Sequence, residues 1–441
     1  MRSLPLLLAV LIASCRATGS SPAGDTAAVG TAVGTAVGTA VGTAVGTDTT
    51  ATLPDEPTGE VERGREAVVR FQCGRCHEAT GLTPAPLTSH CVRCHKKVMT
   101  AGFDAKPKAS EWKQHVAHLA AMPSLRGAGT RLRYDWLVGY LVLPHDLRPA
   151  LMQDMPRLAI TREEARDVVT YLASLDAPAA TARETLEDSD PARGRKLVDD
   201  MQCGSCHRMS GVPTLAAGTP LGPEAPATYR RSSEELRPAV MLAPDLRFTR
   251  DRMTAAQLVQ WLADPAAIKS DTLMPNPGLT PSQARDVAAY LLRTPLGPGR
   301  ARTVPARLPD LERRVGYDEV AREVFDVTCR HCHGKPDDAV GDGGPGNTGG
   351  FGFKRRGVNL TSYEEIQGGY LDDKGNRHSL FEPLADGTPR LVATLWARHD
   401  EGAGHPNPNL RGMPLGFPPL SAEQIQLVAT WVAQGRPRSA P

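Results

Sequence analysis

Three segments of the chain share one pattern of polar and apolar residues. Each has a Met-Pro pair, then a Thr or Ser with Glu or Gln three positions later, and an aromatic residue ten positions after that Thr or Ser. A Thr or Ser followed by Glu or Gln at this spacing is a capping box, which marks the first turn of a helix. The apolar residues behind each box recur at helical spacing, which predicts three equivalent amphipathic helices that pack one face inward. The pairs are Thr161 with Glu164, Thr280 with Gln283, and Ser421 with Gln424.

A second apolar pattern precedes three cysteine pairs. The stretches are "RGREAVVRFQCGRCH", "RGRKLVDDMQCGSCH" and "VAREVFDVTCRHCH", and each predicts a short amphipathic helix. Gly64 and Gly194 each stand nine positions before the first cysteine. The chain therefore repeats a helix, a cysteine pair, a long loop-rich middle and a capped helix. We expect a mainly α-helical protein with low strand content and three modules, at residues 60–178, 186–296 and 312–441.

Eight of the nine cysteines lie in Cys-x-x-Cys-His pentads. This pattern is the attachment site of c-type haem, in which two thiols bond to the haem edge and the adjacent His binds the iron. A redox motif or zinc half-site would account for one pentad, and structural disulfides would not require the histidines. The sequence therefore predicts four covalently bound haem c groups. The predicted haem-bonding residues are Cys73, Cys76, Cys91, Cys94, Cys203, Cys206, Cys329 and Cys332, and the predicted iron ligands beside them are His77, His95, His207 and His333.

A helix, a pentad, a loop-rich middle, Met-Pro and a C-terminal helix together resemble the class I cytochrome c fold. The resemblance implies three tandem domains of that fold. In that family the methionine before the final helix is the sixth iron ligand, whereas the alternative role for such a methionine is to fill a gap in the core. The implied pairs are Met155 with His77, Met274 with His207, and Met413 with His333.

The loop regions of the first two modules share a Pro-x-Leu-Arg sequence. In the family this proline offers its carbonyl to the iron-binding histidine, which implies Pro123 as the partner of His77 and Pro244 as the partner of His207. Such bonds fix the imidazole tautomer and strengthen the ligand. The third module departs from the pattern, because Val358 stands where the proline would be. The third module is therefore predicted to be a divergent cytochrome domain.

The pentad that begins at Cys91 differs from the other three. It follows only "EATGLTPAPLTS" and has no capped helix of its own, so we place it in an enlarged loop of the first module, with its haem beside that of His77. The nearby stretch "SEWKQHVAHLAAM" predicts a short helix with His115 and His118 on one face. We expect His118, or alternatively His115, to be the sixth ligand of the iron bound by His95. Without either ligand, that iron would have an open position.

The N-terminus resembles an export signal. One Arg precedes the apolar run "LPLLLAVLIA", which is too short to span a bilayer as a helix. The run ends in "LIASC", similar to the lipobox of bacterial lipoproteins, which implies a signal peptide over residues 1–15 and lipid modification of Cys15. Ordinary cleavage near Ala17 is the alternative. Five copies of "AVGT" follow, and residues 16–59 are predicted to be a disordered tether.

These features predict a location in the bacterial cell envelope. The chain would be lipid-anchored on the periplasmic side or at the cell surface, and we favour the outer membrane because Arg16 carries no obvious inner-membrane retention signal. The formal net charge is only +2 and no long basic run is present, so we expect no nucleic-acid partner. The expected partners are redox proteins, and the membrane through the lipid anchor.

Six-coordinate irons leave no position for a substrate. We therefore expect an electron carrier rather than an enzyme: a periplasm-facing tetrahaem cytochrome that transfers electrons between respiratory partners, freestanding or as a subunit. One alternative is the cytochrome subunit of a membrane-bound dehydrogenase or respiratory complex, because triple cytochrome modules resemble the electron-accepting subunits of alcohol and sugar dehydrogenases. Another is a haem enzyme that acts on a small ligand at an open haem bound to His95.

Overall fold

The computed structural model describes residues 58–100, 110, 113, 116, 119, 122–145, 147–149, 155–176, 186–215, 233–299, 302–335 and 344–439. These residues are mainly helical and belong to one unit, Asp55–Pro441. The predicted signal peptide with Cys15, residues 16–57 of the predicted tether, and the ligand candidates His115 and His118 lie outside the described residues. Within the described part, no helix is long and apolar enough to cross a membrane.

The described helices of the first module are α1 (Val61–Arg70), α2 (Cys91–Val98), α3 (Ala128–Arg131), α4 (Tyr134–Val142) and α5 (Arg162–Ser174). Helix α1 packs against α5, so the two ends of the module meet. The predicted capping box of α5 is confirmed: the Thr161 hydroxyl accepts a hydrogen bond from the Glu164 N–H, and the Glu164 carboxylate accepts one from the Thr161 N–H.

The described helices of the second module are α6 (Pro191–Asp200), α7 (Ser233–Leu242), α8 (Thr249–Arg252), α9 (Ala255–Ala263), α10 (Pro265–Ile268) and α11 (Pro281–Arg293). Helix α6 packs against α11 in the same way as α1 packs against α5. The capping box of Thr280 and Gln283 is confirmed at the start of α11. The two modules are therefore built on the same pair of terminal helices.

The elements described in the third module are α12 (Tyr317–Val320), a π-helical continuation of α12 (Ala321–Cys329), α13 (Pro345–Thr348), α14 (Tyr363–Gln367), β1 (Tyr370–Leu371), β2 (Arg377–His378), α15 (Arg390–Gly402) and α16 (Ala422–Ala433). Strands β1 and β2 pair antiparallel, with Tyr370 opposite His378. The capping box of Ser421 and Gln424 is confirmed at the start of α16. The low strand content predicted from the sequence is therefore also confirmed for the described residues.

Gly64 and Gly194 lie where the terminal helices cross. A β-carbon on Gly64 would stand 2.0 Å from the carbonyl oxygen of Asp167 in α5, and one on Gly194 would stand 2.0 Å from that of Asp286 in α11. Such an approach is possible only for a residue without a side chain. The glycine nine positions before the cysteine therefore allows the two helices to touch.

The same two aspartates also join the helices through their carboxylates. Asp167 accepts hydrogen bonds from the Glu60 N–H at 2.7 Å and from Arg63 Nε at 2.8 Å, and Asp286 accepts one from Arg193 Nε at 2.9 Å. The hydrogen bond from Arg63 is the main reason that the pKa of Asp167 is below its ordinary value. These bonds fasten the start of each N-terminal helix to the C-terminal helix.

Among the residues that the structure describes, the buried apolar side chains form two clusters. The first spans the first and second modules, where it includes Val68, Val169 and Val287, and also takes in Phe351 of the third module. The second lies within the third module around Phe325 and Trp431, which are at most 1% exposed. The first two modules therefore share one continuous core.

Hydrogen bonds also join the first module to the second. The N–H of Arg133 donates to the carbonyl of Arg252 at 2.8 Å, and the Gln257 side chain donates to the carbonyl of Thr130 at 2.9 Å. These contacts set the helix pair α3 and α4 against its counterpart, α8 and α9. The two modules therefore face each other through equivalent segments.

The first module contacts the third through two other segments. The N–H of Gly352 donates to the carbonyl of Arg70 at the end of α1, at 3.1 Å. Arg157 forms an ion pair with Glu401 at 3.3 Å, with side-chain exposures of 15% and 7%. Arg157 also donates to the carbonyl of Asn407 at 2.7 Å. Both other modules are therefore bonded to the first one.

Candidate functional site

The first and third pentads of the sequence fold into the same tight turn. Gln72 and Gln202 adopt left-handed backbone angles with φ of 53° and 52°, and a turn of 3₁₀-helix begins at the next residue. The N–H of His77 donates to the carbonyl of Cys73 at 2.9 Å, one helical turn away. Residues three and four positions apart share a face of such a turn. Both thiols and the imidazole therefore project from one side.

The pentad of the third module reaches a similar turn from a different approach. The π-helix ends at Cys329, and the next residue, Arg330, remains right-handed. The N–H of His333 still donates to the carbonyl of Cys329 at 2.9 Å. The local donor arrangement is therefore retained although the preceding helix differs.

All eight pentad cysteines are outside disulfides. Burial raises the pKa of Cys73 and Cys329 to about 12 and that of Cys203 to about 11. Desolvation disfavours the charged thiolate, so these sulfurs are neutral at pH 7. A thioether sulfur is also uncharged, so the same apolar surroundings suit cysteines that are bonded to a haem edge.

Main-chain carbonyls orient two of the histidines. Nδ1 of His77 lies 2.8 Å from the Pro123 carbonyl oxygen, and Nδ1 of His207 lies 2.9 Å from that of Pro244. Since a carbonyl can only accept, Nδ1 carries the proton and Nε2 holds the lone pair that binds a metal. Burial lowers the pKa of both imidazoles, which favours this neutral, metal-binding form.

In the third module, Val358 occupies the place of the prolines. Burial lowers the pKa of His333 to about 4, and the Val358 main chain partly opposes this shift. The buried Nδ1 of His333 has no formed hydrogen bond to any described residue, so the Val358 carbonyl acts on the ring at longer range. Two residues further on, the Leu360 N–H donates to the His333 carbonyl at 2.8 Å. In the first module, the Leu125 N–H donates to the carbonyl of Glu78, the residue after His77, at 2.9 Å. A carbonyl oxygen is common to every residue type, so valine can take the proline's place.

The three methionines lie against the same cores as the pentads. Met155 and Met274 pack on the shared core of the first two modules, as Cys73 and Cys203 do, and Met413 packs on the core of the third module. The Met274 sulfur also accepts a hydrogen bond from the indole N–H of Trp261 at 3.0 Å. Sequence analysis missed this donor. The available signal was an aromatic-Leu-x-x-Pro sequence that begins at Trp261 and, in the first module, at Tyr140.

The pentad that begins at Cys91 lies within helix α2 rather than at a turn between helices. His90 is the N-cap of this helix, and its Nδ1 accepts a hydrogen bond from the Arg93 N–H at 3.2 Å. The thiols of Cys91 and Cys76 are hydrogen-bonded, which is the largest of the effects that lower the pKa of Cys91 to about 6. The two pentads of the first module are therefore in direct contact.

These groups fit a covalently bound haem. The set comprises paired thiols outside disulfides, a neutral imidazole whose Nδ1 faces a carbonyl, and a methionine on the same apolar core. Haem c is held by thiols of this kind, and His with Met is an established axial pair for its iron. Nδ1 of His333 is buried and has no hydrogen-bond partner among the described residues. This arrangement leaves Nε2 of the same ring able to bind iron.

Comparison with known proteins identifies one domain. Residues 191–295 match the family model of cytochrome c, from the first residue of α6 to just past the end of α11. No curated protein and no solved structure matches the chain significantly. The chain therefore contains a cytochrome c domain, which implies covalently bound haem c and a role in electron transfer.

Proposed function

We propose that this chain, whose residues 191–295 form a cytochrome c domain, is a tetrahaem c-type cytochrome that transfers electrons between respiratory partners. The observation that carries the proposal is the repeated donor set. The matched domain and the first module present the same turn, the same tie from histidine to a proline carbonyl and the same capped helix. The third module repeats the turn and the capped helix. When bound, each haem supplies one-electron exchange at its iron.

The residues of the chain have three tasks in this proposal. The cysteines would bond to the haem edge, and the pentad histidines would bind iron. The carbonyls of Pro123 and Pro244 orient His77 and His207 by hydrogen bonds, and the Val358 carbonyl acts on His333 at longer range. Met155, Met274 and Met413, which pack on the same cores as the pentad cysteines, would supply the second ligand of these irons. The apolar cores on which Cys73, Cys203 and Cys329 pack would limit the access of water to three of these sites. The Cys91 pentad supplies the fourth site, with His95 as the first ligand.

The first module is the centre of the proposed assembly. It is hydrogen-bonded to the second module through Arg133 and to the third through Arg70 and Arg157. It also contains two pentads whose cysteines Cys76 and Cys91 touch. These contacts support a branched arrangement in which the first module exchanges electrons with both others.

The location is proposed from the sequence alone. The export signal, Cys15 and the repeat tether support a lipid-anchored protein of the bacterial cell envelope that faces the periplasm, on the outer membrane, or lies at the cell surface. Its partners would be redox proteins that dock through small, transient interfaces. This role makes the chain an electron carrier, freestanding or as a subunit, rather than an enzyme.

The test is a census of haem number and iron ligation. The full chain is produced in a host that matures c-type cytochromes, and covalent haem per chain is measured by mass spectrometry and haem absorbance. We expect four haems in the wild type, three in the double variant Cys91→Ala/Cys94→Ala, and three in the matched control Cys203→Ala/Cys206→Ala.

Spectra of the same samples distinguish the alternatives. A wholly low-spin ferric spectrum supports the electron carrier. A high-spin signal that disappears in the Cys91→Ala/Cys94→Ala variant would instead support an enzyme with an open haem at His95. Fewer than four covalent haems in the wild type would refute the tetrahaem proposal.

A further inference from the structure

Two arginines stand at equivalent positions in the first two modules. Arg131 follows Pro123 by eight residues and ends helix α3, and Arg252 follows Pro244 by eight residues and ends helix α8. Neither takes part in the turns or histidine ties described above. Their shared position indicates a shared task.

Each of these arginines lies on a tryptophan of the other module. The guanidinium carbon of Arg131 is 4.9 Å from the ring centre of Trp261, and that of Arg252 is 5.3 Å from the ring centre of Trp136. An aromatic face attracts a cation placed over it and fixes the plane of the guanidinium. Trp261 in turn donates to Met274, so Arg131 is two contacts away from a proposed iron ligand of the second module.

Both arginine side chains are partly buried, and neither has a carboxylate partner in the described part of the chain. Nε of each is buried and makes no hydrogen bond, and neither guanidinium forms an ion pair with a described residue. Burial lowers the pKa of Arg131 to about 10 and that of Arg252 to about 9, and the positive charge of Arg148 lowers both further. A buried charge is costly unless an opposite charge meets it.

The nearby carboxylates are engaged elsewhere or do not reach these arginines. Asp271 acts on Arg131 but is bonded to Lys269 and Ser124. Asp176 also acts on Arg131 without forming an ion pair with it. The positive charge of Arg148 reaches His77 as well, so the arginine cluster lies close to the iron-binding side of the first module.

We infer that Arg131 and Arg252 bind the propionate carboxylates of two haems where the first two modules face each other. These are the first haem, bound by His77, and the second haem, bound by His207. The inference rests on the proposed function, because it requires that these haems are bound. A guanidinium presents a planar fork of N–H donors that matches a carboxylate, and stacking on tryptophan leaves the edge of that fork available. Each module would thereby supply one arginine that helps to hold the two haems, and the tryptophan of the other module would hold that arginine in place.

The inference predicts an electrostatic effect on both haems. A cation near the haem disfavours the oxidised iron, which carries the additional positive charge. Removing the cation lowers the ratio of reduced to oxidised haem at a fixed electrode potential by on the order of tenfold, as expected for loss of one partly buried charge at close range. A propionate released from its arginine would also titrate nearer neutral pH, so the midpoint potential would become dependent on pH.

The experiment compares Arg131→Gln and Arg252→Gln with Arg131→Lys, Arg252→Lys and the wild type, all as full chains. Covalent haem is counted first, and optical redox titrations are then run at several pH values. The matched control is Arg65→Gln, which removes an arginine from the exposed surface of α1, where the side chain is 51% exposed. We expect a lower, pH-dependent midpoint for the first and second haems in the Gln variants, partial recovery in the Lys variants, and no change in the control.

The outcomes separate this inference from the proposed function. Gln variants with four haems and with the midpoints and pH profile of the wild type would overturn the inference and leave the proposed function standing. Missing haems in the wild type would instead overturn the proposed function. If a Gln variant does not accumulate, the Lys variant decides, because it keeps the charge but loses the planar fork. An unchanged midpoint in the Lys variants would then contradict the inference.

Discussion

The hydrogen bond between Trp261 and the Met274 sulfur predicts a measurable effect on one haem. The indole Nε1 is 3.0 Å from the sulfur, and Trp261 lies in α9. Substitution Trp261→Phe removes the N–H donor but keeps an aromatic ring over which the Arg131 guanidinium can lie. The change therefore isolates the donor from the packing of the ring.

The direction and size of the effect follow from the bond. A donor at the sulfur withdraws electron density, which weakens the sulfur's bond to ferric iron more than its bond to ferrous iron. A typical hydrogen bond contributes about 0.5–1.5 kcal/mol, and a thioether is a weak acceptor. A difference of up to about 1 kcal/mol between the two oxidation states corresponds to roughly 40 mV for one electron. Trp261→Phe is therefore expected to lower the midpoint potential of the second haem by up to roughly 40 mV.

The assay is an optical redox titration of the full chain with all haems bound. The haems of the first and third modules are internal controls, and their midpoints should stay within error of the wild type. A second-module midpoint that is unchanged or raised would refute the reasoning. Loss of the spectral signature of methionine ligation would show that the donor also positions the sulfur.

Three further predictions concern stability. Gly64→Ala forces α1 away from the Asp167 carbonyl and should cost about 1–3 kcal/mol or more, whereas Gly139→Ala, with nothing within 4 Å, should gain up to about 1 kcal/mol; equal melting temperatures would contradict this. Because Arg63 lowers the pKa of Asp167 in the folded state, the stability from this pair is present above the unfolded pKa of about 4 and is lost as the pH falls. In urea unfolding, Asp167→Asn should therefore have a lower free energy of unfolding than the wild type at pH 7, and the difference should disappear in acid. A difference that does not depend on pH would argue against the pair. Glu401→Ala leaves the partly buried Arg157 and the buried Arg398 without their carboxylate and should cost about 3–5 kcal/mol, with a smaller loss for Glu401→Gln. Wild-type unfolding of the alanine variant would rule out a stabilising role.

The helices were predictable because their signals are local. The capping box of Thr161 and Glu164 uses two side chains three residues apart, and the structure forms both of its hydrogen bonds. The same is true of Thr280 and Gln283. The mainly helical fold and the cytochrome c domain at residues 191–295 are confirmed for the same reason, since each depends on short motifs in a fixed order.

Two features of the sites were not visible in residue types. His90 is the N-cap of α2 through its ring nitrogen, a role that Ser, Thr, Asp or Asn usually fills. Because the sequence has no conventional N-cap residue at this position, it did not indicate that the Cys91 pentad lies in a helix. Val358 acts on His333 through its main-chain carbonyl, and because every residue type has a carbonyl, the sequence does not indicate this role. The available signal was the leucine two residues later, Leu360, which corresponds to Leu125 and Leu246.

The contacts between modules were beyond sequence reasoning because they join distant segments. Arg131 and Trp261, or Arg157 and Glu401, lie in different modules, and nothing near either residue indicates its partner. Each arginine alone would be read as an exposed surface residue. Only the folded chain shows that the equivalent segments of the first two modules face each other.

The contacts between modules bear on the position of the pentad that begins at Cys91. In the sequence it follows the first pentad closely and has no module of its own, but its Cys91 touches Cys76 in the module to which both others are bonded. A route between the second and third modules along these bonds passes through the first one. The fourth proposed haem would therefore lie beside the first pentad, in the module that contacts both others.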